Sequence, residues 1–237
     1  MRGENIGTER LDAKEVLPRL LRMLRRTTER QVHYNAARFP AGYHTWVFPV
    51  KGGAPQIYAG ERDPIARLKA LSQVVGYNFE NKTVLDIGCN QGGMLVPIAD
   101  QIVCGIGVDV NSELVNCANR MAMHFQKRNL AFYTYDLEEG MHVSLPKSEG
   151  ETYFDHMLDF LPYREPDIIF LLAVCQWVKN WKELLHWCAK HAKCLFFEDN
   201  GNKMQQQQHR QVLAELYSQV IDLRFNERGR RLFFCSR

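Results

Sequence analysis

The chain has 237 residues, of which 46% are hydrophobic and 24% charged, and this composition excludes a disordered, collagen-like or coiled-coil protein. With 30 basic and 27 acidic residues, the net charge of +3 is too small to indicate a nucleic-acid partner by itself. The longest apolar run covers seven residues, 168–174, far fewer than the ~20 that cross a bilayer, and the first residues lack the apolar segment of a secretory signal, so we expect no membrane span and a cytoplasmic location.

Residues 16–24 place valine and leucine at helical spacing with arginines between them, and this pattern predicts an amphipathic helix. Five arginines and one acid lie between Arg19 and Arg30. The basic face of this helix is either the solvated side of a packed element or a contact for RNA or a membrane surface. The pattern leaves both interpretations open.

The segment that follows is rich in aromatic residues and glycine. Residues 43–50 and 56–59 predict two short strands joined as a hairpin. Asp63-Pro64 then has the form of an N-cap and a first-turn proline, which predicts a helix as far as about Val75. We therefore expect residues 1–80 to form an N-terminal cap made of a helix, a hairpin and an approach helix.

Beyond residue 80, strands alternate with helices, and the strands are nearly continuous apolar runs. Such runs are what a parallel sheet covered on both faces requires. The last two strands flank residues 226–230 as a hairpin. The fold predicted for residues 81–237 is therefore α/β, a doubly wound and mostly parallel sheet closed by an antiparallel C-terminal hairpin strand, with helices expected to begin at Gly92, at Ser112, near Asn180 and near Gln205.

The long join over residues 138–165 carries glycine and proline around a short helix predicted near residues 153–161. Connections of this length often serve as lids. The seven cysteines include no C-x-x-C pair, so we expect neither a disulfide framework nor a metal site.

In a parallel sheet the ligand lies beyond the carboxyl ends of the strands, so the first strand-to-helix turn, residues 86–93, is the candidate cofactor site. Gly88 and Gly92 permit a tight turn, and Asn90 tolerates positive φ. Asp86 precedes the first glycine by two residues. A carboxylate there suits a ligand with an ammonium group and repels a pyrophosphate, which favours S-adenosylmethionine over a dinucleotide.

Two further acids stand at the ends of the next two strands. Asp109 can accept hydrogen bonds from the two hydroxyls of a ribose. Asp136 can accept one from an adenine amino group, while the side chains of Tyr135 and Leu137 pack on the adenine ring. One acid at the end of each of three successive strands is a specific pattern for an adenosine-containing cofactor.

At these residues the chain resembles the class I S-adenosylmethionine-dependent methyltransferases, over about residues 81–237. V-L-D-I-G-C-N-Q-G-G at 84–93 is similar to the first family motif, and G-V-D-V at 107–110 to the second. The stretch 167–178, DIIFLLAVCQWV, resembles the fourth-strand motif that borders the transferred methyl group. The resemblance implies a seven-stranded sheet whose last inserted strand is antiparallel.

A smaller resemblance lies upstream, where Tyr43-His44-Thr45 and residues 60–63 are similar to the approach segment of methyltransferases that modify the tRNA wobble uridine. The R-D-x-x-x-R spacing from Arg62 to Arg67 also resembles methyltransferases that cap O-antigen polysaccharides. In those relatives an arginine holds the carboxylate of the cofactor, which implies this role for Arg67. The complete set of candidate cofactor-binding residues is Tyr58, Arg67, Asp86, Gly88, Cys89, Asn90, Gly92, Asp109, Val110, Asp136, Leu137 and Ala173.

Many family members carry a histidine just after the fourth strand, whereas here residues 175–177 read Cys-Gln-Trp. The remaining candidates for a catalytic base are Glu198, at the end of the fifth strand, and His44 in the approach segment. The aromatic side chains of this segment are expected either to line an acceptor pocket or to pack in the core beneath the cap; they are Tyr43, Trp46, Phe48 and Tyr58.

The leading functional hypothesis is a methyltransferase that acts on a hydroxyl or similar nucleophile of a polar small molecule, such as a saccharide or secondary metabolite. A tRNA-modifying methyltransferase is the alternative enzyme, because the approach segment and the arginine-rich helix would suit RNA. A non-catalytic S-adenosylmethionine-binding regulatory subunit is the third hypothesis, since the usual histidine is missing. The oligomeric state is not predicted.

Overall fold

A computed structural model describes residues 44–48, 53–54, 56–138, 154–162, 165–227 and 229–237. The predicted first helix, the arginine-rich segment, Tyr43 and most of the 138–165 connection lie outside these ranges. Across the described ranges, every helix is too short or too polar to pass through a lipid bilayer.

Seven strands form the central sheet, in the spatial order β5-β4-β3-β6-β7-β9-β8. The first five of these are parallel to one another, and β9 is antiparallel to both β7 and β8. This arrangement confirms the predicted doubly wound sheet with its antiparallel hairpin strand. The strands are β3 Thr83–Ile87, β4 Cys104–Asp109, β5 Leu130–Thr134, β6 Ile168–Leu172, β7 Cys194–Glu198, β8 Gln219–Glu227 and β9 Arg230–Ser236.

The central strands β3 and β6 are buried at all five positions. Apolar side chains cover both faces of the sheet in two separate clusters of buried residues. This double burial is why the sequence shows apolar runs here and no alternation of polar and apolar residues. Because β3, β4, β5, β6 and β7 are parallel, their carboxyl ends lie along one edge of the sheet.

The helices flank the sheet and begin at polar caps. The side chain of Asp63 accepts a hydrogen bond from the Ala66 amide at 3.1 Å, as the N-cap prediction requires, and Asn202 forms a capping box with Gln205. The helices are α1 Pro64–Val75, α2 Ser112–His124, α3 Trp181–His191 and α4 Lys203–Leu216.

One helix prediction was wrong in type. The chain after Gly92 forms turns and a short 3-10 helix, Val96–Ile98, where a full helix was expected. Pro97 explains the difference, because it has no amide hydrogen to donate and clashes with a preceding helical turn. The short helix expected near residues 153–161 is present, as the 3-10 helix Asp155–Phe160.

The predicted hairpin is present as two short antiparallel strands, β1 Trp46–Phe48 and β2 Gln56–Tyr58. A parallel bridge joins His44 to Arg62, and the Thr45 amide donates to the Arg62 carbonyl at 2.8 Å. The hairpin is thereby attached to the start of α1, next to the carboxyl edge of the main sheet.

Candidate functional site

The turn after β3 has the backbone that its residues predict. Gly88, Asn90 and Gly92 have φ values of 78°, 51° and 75°. The amides of Gly88 and Cys89 both donate to the Val108 carbonyl, at 2.8 and 3.0 Å. A Cβ at residue 88 would lie 2.5 Å from Cγ2 of Val174, so only glycine permits this close approach between the turn and the segment that follows β6.

Asp109 connects the end of β4 to this turn. Its Oδ2 accepts the Asn90 amide and its Oδ1 the Asn111 amide, each at 2.9 Å. Burial raises the pKa of Asp109, while these two backbone hydrogen bonds oppose the rise. Val110 beside it is 62% exposed, which leaves an apolar side chain next to the acid at the edge of the site.

The third acid, Asp136, follows β5 and accepts the Glu138 amide at 2.8 Å through Oδ1. Leu137 packs partly buried against the core, whereas Tyr135 is fully buried within it. Asp86, Asp109 and Asp136 therefore all lie toward the carboxyl edge of three neighbouring strands. Tyr135 is part of the core and is not available as an exposed ring.

Asp86 is an unusual carboxylate, because it is only 2% exposed. No group in the described ranges donates a hydrogen bond to its Oδ2. Burial, reinforced by the negative charge of Asp109 and opposed by Arg67, raises the pKa of Asp86 to about 8. A buried acid with a free oxygen in this position is poised to receive a charged donor from a ligand.

Arg67 projects from α1 to the end of β7, where its Nη2 lies 2.8 Å from Oε2 of Glu198. Both side chains are 1% exposed. Arg62 approaches the same carboxylate, with 3.7 Å between its Nη1 and Oε1. Arg67 was predicted to hold the cofactor carboxylate and Glu198 to act as a base, and the fold brings both side chains into one buried ion cluster. A carboxylate held by guanidinium groups is a weak proton acceptor, which argues against Glu198 as the base.

His44 is buried beside the cofactor turn, and a Cβ at residue 93 would overlap its imidazole ring. Burial, together with the charges of Arg67 and Arg62, lowers the pKa of His44 to about 3. The imidazole is therefore neutral near pH 7. So low a pKa makes it a weak base for proton abstraction.

The hairpin contacts the turn through Trp46 as well. The Trp46 indole donates to the side chain of Gln91 at 3.3 Å, and its ring stacks on Phe125 at 6.3 Å between centroids. Trp46 is buried, so its aromatic ring belongs to the core beneath the cap. Tyr58, on the neighbouring strand, is only partly buried.

Asn200 is a site residue that the sequence analysis missed. Its side chain is fully buried and holds the segment after β6 from both ends: Nδ2 donates to the Ala173 carbonyl at 2.7 Å, and Oδ1 accepts the Gln176 amide at 3.1 Å. Ala173 has a positive φ of 61°, and its amide donates to the Glu198 carbonyl at 3.1 Å. An asparagine just after a buried strand is the only signal in the sequence for this clamp.

Gly93 offers a direct test of the contact between the hairpin and the turn. We expect Gly93→Ala to lower the free energy of unfolding by about 1–3 kcal/mol, because the added methyl group overpacks the site against His44. The measurement is urea unfolding of Gly93→Ala, His44→Ala and the double variant. The double variant should be more stable than the sum of the two single effects. Additive losses would show that the two residues do not contact each other.

Comparison with known families gives one match, to the family described as "Methyltransferase domain", over residues 58–231. This range covers most of the chain and contains α1 and every strand of the central sheet except most of β9. No curated protein matches the chain by sequence.

Solved structures share the fold at low sequence identity. A precorrin 8W decarboxylase of Methanobacterium thermoautotrophicum is 14% identical, with a TM-score of 0.53, and the match covers 74% of this chain and 91% of that one. A precorrin-6y C5,15-methyltransferase of Geobacter metallireducens is 13% identical, with a TM-score of 0.51 and coverage of 73% and 87%.

A third similar structure belongs to WbdD, described as a bifunctional kinase-methyltransferase. It is 18% identical to this chain, with a TM-score of 0.50, and the match covers 75% of this chain and 41% of that one. The chain therefore spans about two fifths of the length of WbdD.

Proposed function

Because this chain belongs to the class I S-adenosylmethionine-dependent methyltransferase family, for which S-adenosylmethionine is the cofactor, we propose that it transfers a methyl group to a hydroxyl or similar nucleophile of a polar small molecule. The acceptor side of this proposal depends on the residues around the carboxyl edge of the sheet.

The observation that carries the proposal is the free Oδ2 of Asp86, in a side chain that is 2% exposed. An amino-acid ammonium group would donate to this oxygen and favour the ionised carboxylate. A pyrophosphate has no hydrogen to donate to this oxygen, and the carboxylate of Asp109 would repel it. The acceptor oxygen of Asp86 therefore fits the ammonium group at the amino-acid end of S-adenosylmethionine.

The other residues of the site fit the remaining parts of the molecule. Arg67, oriented by Glu198, presents a guanidinium group suited to a carboxylate. Asp109 retains lone pairs for ribose hydroxyls beyond its two backbone contacts. Asp136 would accept from the adenine amino group, and the exposed Val110 would pack on the adenine ring.

S-adenosylmethionine supplies an electrophilic methyl group on a sulfonium. The residues of this chain need only orient the acceptor toward that methyl group. The predicted bases, Glu198 and His44, are both unsuited to take a proton, since one is ion-paired and the other has a pKa of about 3. We therefore propose that Glu198 positions Arg67, and that the acceptor's proton leaves to solvent.

Calorimetry with S-adenosylhomocysteine and NAD tests the cofactor, and labelled S-adenosylmethionine tests transfer. We expect S-adenosylhomocysteine to bind and NAD not to bind. Tighter binding of NAD would overturn the proposal, and cofactor binding without transfer to any small molecule or to tRNA would favour a regulatory subunit. Transfer to tRNA alone, with an efficiency that falls as the salt concentration rises, would favour a tRNA-modifying methyltransferase. The arginine-rich segment that would suit RNA lies outside the described residues.

Asp109→Asn should weaken S-adenosylhomocysteine binding by about 1–3 kcal/mol, because the amide has one acceptor oxygen where the carboxylate has two. That oxygen cannot serve the amides of Asn90 and Asn111 and a ribose together. Calorimetry on the folded variant measures the change in affinity.

Asp222→Asn is the matched control, since Asp222 accepts the Arg224 amide at 2.8 Å with the same two-residue spacing, on a strand at the far edge of the sheet. The affinity of Asp222→Asn for S-adenosylhomocysteine should stay within a factor of about two of the parent value. Equal losses in the two variants would remove Asp109 from the cofactor site.

A further inference from the structure

We propose that Trp177 is the surface on which the methyl acceptor binds, and that the acceptor carries its nucleophile on a neutral aromatic ring. This inference rests on the proposed methyl transfer and specifies its substrate class. Three properties of Trp177 lead to it: its position near the cofactor turn in space, the rigidity of its segment, and the chemistry of its neighbours.

Trp177 lies close to the cofactor turn. It ends the 3-10 helix Cys175–Trp177 that follows β6, and its amide donates to the Val174 carbonyl at 2.8 Å. The side chain of Val174 is in turn the neighbour that excludes a Cβ from Gly88. One hydrogen-bonded turn therefore separates the backbone of Trp177 from Val174, whose side chain lies against the glycine turn.

The indole is held in an exposed position by buried neighbours. Trp177 is 76% exposed, more than any other large hydrophobic side chain in the described ranges. Cys175, two residues before it, and Val178, directly after it, are both buried. Asn200 fixes the backbone of this segment at Ala173 and Gln176. A rigid backbone that presents an indole to solvent forgoes the burial of about 150–250 Å² that an aromatic side chain usually contributes, which is typical of a binding position.

The polar side chains of the adjacent segment are already committed within the protein. Asp199 accepts from the Arg210 side chain at 2.9 Å and from the Arg231 amide at 2.7 Å. Asn200 holds the Trp177 segment, and Asn202 caps α4. None of these three is left to bind the several hydroxyls of a saccharide.

The charged pair next to Trp177 in the chain is balanced. Lys179, two residues after Trp177, pairs with Glu138 at 3.3 Å, so no unbalanced charge from this pair selects an ionic acceptor. An uncharged aromatic ring is therefore the ligand that fits an exposed indole, because two such rings stack on each other.

The test uses catechol, 2-naphthol and 4-nitrophenol as phenolic probes, and methyl glucoside and maltose as saccharide probes, with labelled S-adenosylmethionine. We expect transfer to at least one phenolic probe. In Trp177→Ala its KM should rise at least about tenfold, with kcat within about threefold of the parent. Trp177→Phe should recover most of the lost affinity, because it restores an aromatic face.

Met123→Ala is the control, since Met123 is an exposed apolar side chain on α2; its KM should match that of the parent. Three results would each overturn the inference. They are transfer to saccharides and to no phenol, the absence of saturable transfer to any probe, and a phenol KM that is unchanged in Trp177→Ala. Binding of S-adenosylhomocysteine by Trp177→Ala should stay within a factor of about two. Failure of the parent to bind it would instead reject the proposed function, and this inference with it.

Discussion

Replacing Glu198 by glutamine is expected to lower the free energy of unfolding by about 3–5 kcal/mol, the usual cost of removing one partner from a buried ion pair. The Arg67 guanidinium lies 2.8 Å from the Glu198 carboxylate, and both side chains are 1% exposed. Glutamine carries no charge, so in the variant the buried Arg67 guanidinium loses the negative charge that Glu198 provides. Urea unfolding of the parent and the variant measures the difference.

Glu138→Gln is the matched control, because Glu138 pairs with Lys179 at 3.3 Å and Lys179 is 87% exposed. Loss of such an exposed pair costs about 0–1 kcal/mol. The affinity of folded Glu198→Gln for S-adenosylhomocysteine should also fall, because Arg67 loses the contact that orients it. Normal stability and affinity combined with a collapse of kcat would instead support the role of Glu198 as the base.

The affinity for S-adenosylhomocysteine is expected to rise between pH 6 and pH 8, by at most about tenfold per pH unit. The pKa of Asp86 is raised to about 8, so below that pH the carboxyl is mostly protonated in the free protein. Binding an ammonium group requires the ionised form, so a proton must be released as the ligand binds. Calorimetry at pH 6, 7 and 8, in two buffers with different ionisation enthalpies, measures both the affinity and the released proton.

The same acid predicts the pH dependence of stability in the absence of ligand. The folded protein holds the Asp86 proton up to about pH 8, whereas the unfolded chain loses it near pH 4. This group therefore makes the free energy of unfolding fall as pH rises between those two values. Asp86→Asn should bind the ligand weakly, with no dependence on pH in this range, and should be more stable than the parent at pH 8. A parent affinity that does not change from pH 6 to pH 8 would contradict the assignment.

The sheet could be predicted because burial on both faces leaves a direct mark on the sequence. Every residue of β3 and β6 is buried, so no alternation of polar residues interrupts the apolar runs. The turn after β3 was predictable for a similar local reason, since Gly88, Asn90 and Gly92 tolerate the positive φ values that the turn requires. Both features depend on residues that are close together in the chain.

The ion cluster and the hairpin contacts could not be predicted in the same way, because they join residues far apart in sequence. Arg67 and Glu198 lie far apart in the chain, and the sequence around either residue gives no sign that the two side chains form an ion pair. The contact between His44 and Gly93 depends on how the hairpin docks. The absence of a full helix after Gly92 has a local cause, because Pro97 permits only the short 3-10 helix Val96–Ile98.

The position of β9 has a consequence for how the protein folds during synthesis. β9 lies between β7 and β8 in the sheet, yet Arg230–Ser236 follows every other described strand in the chain. Until these residues leave the ribosome, β7 has an open edge and β8 has no partner in the sheet. An open edge of this kind can pair with another nascent chain. The stretch from Cys194 to Glu227 is therefore where aggregation during translation is expected to begin, and a ribosome stalled just before Arg230 would expose it longest.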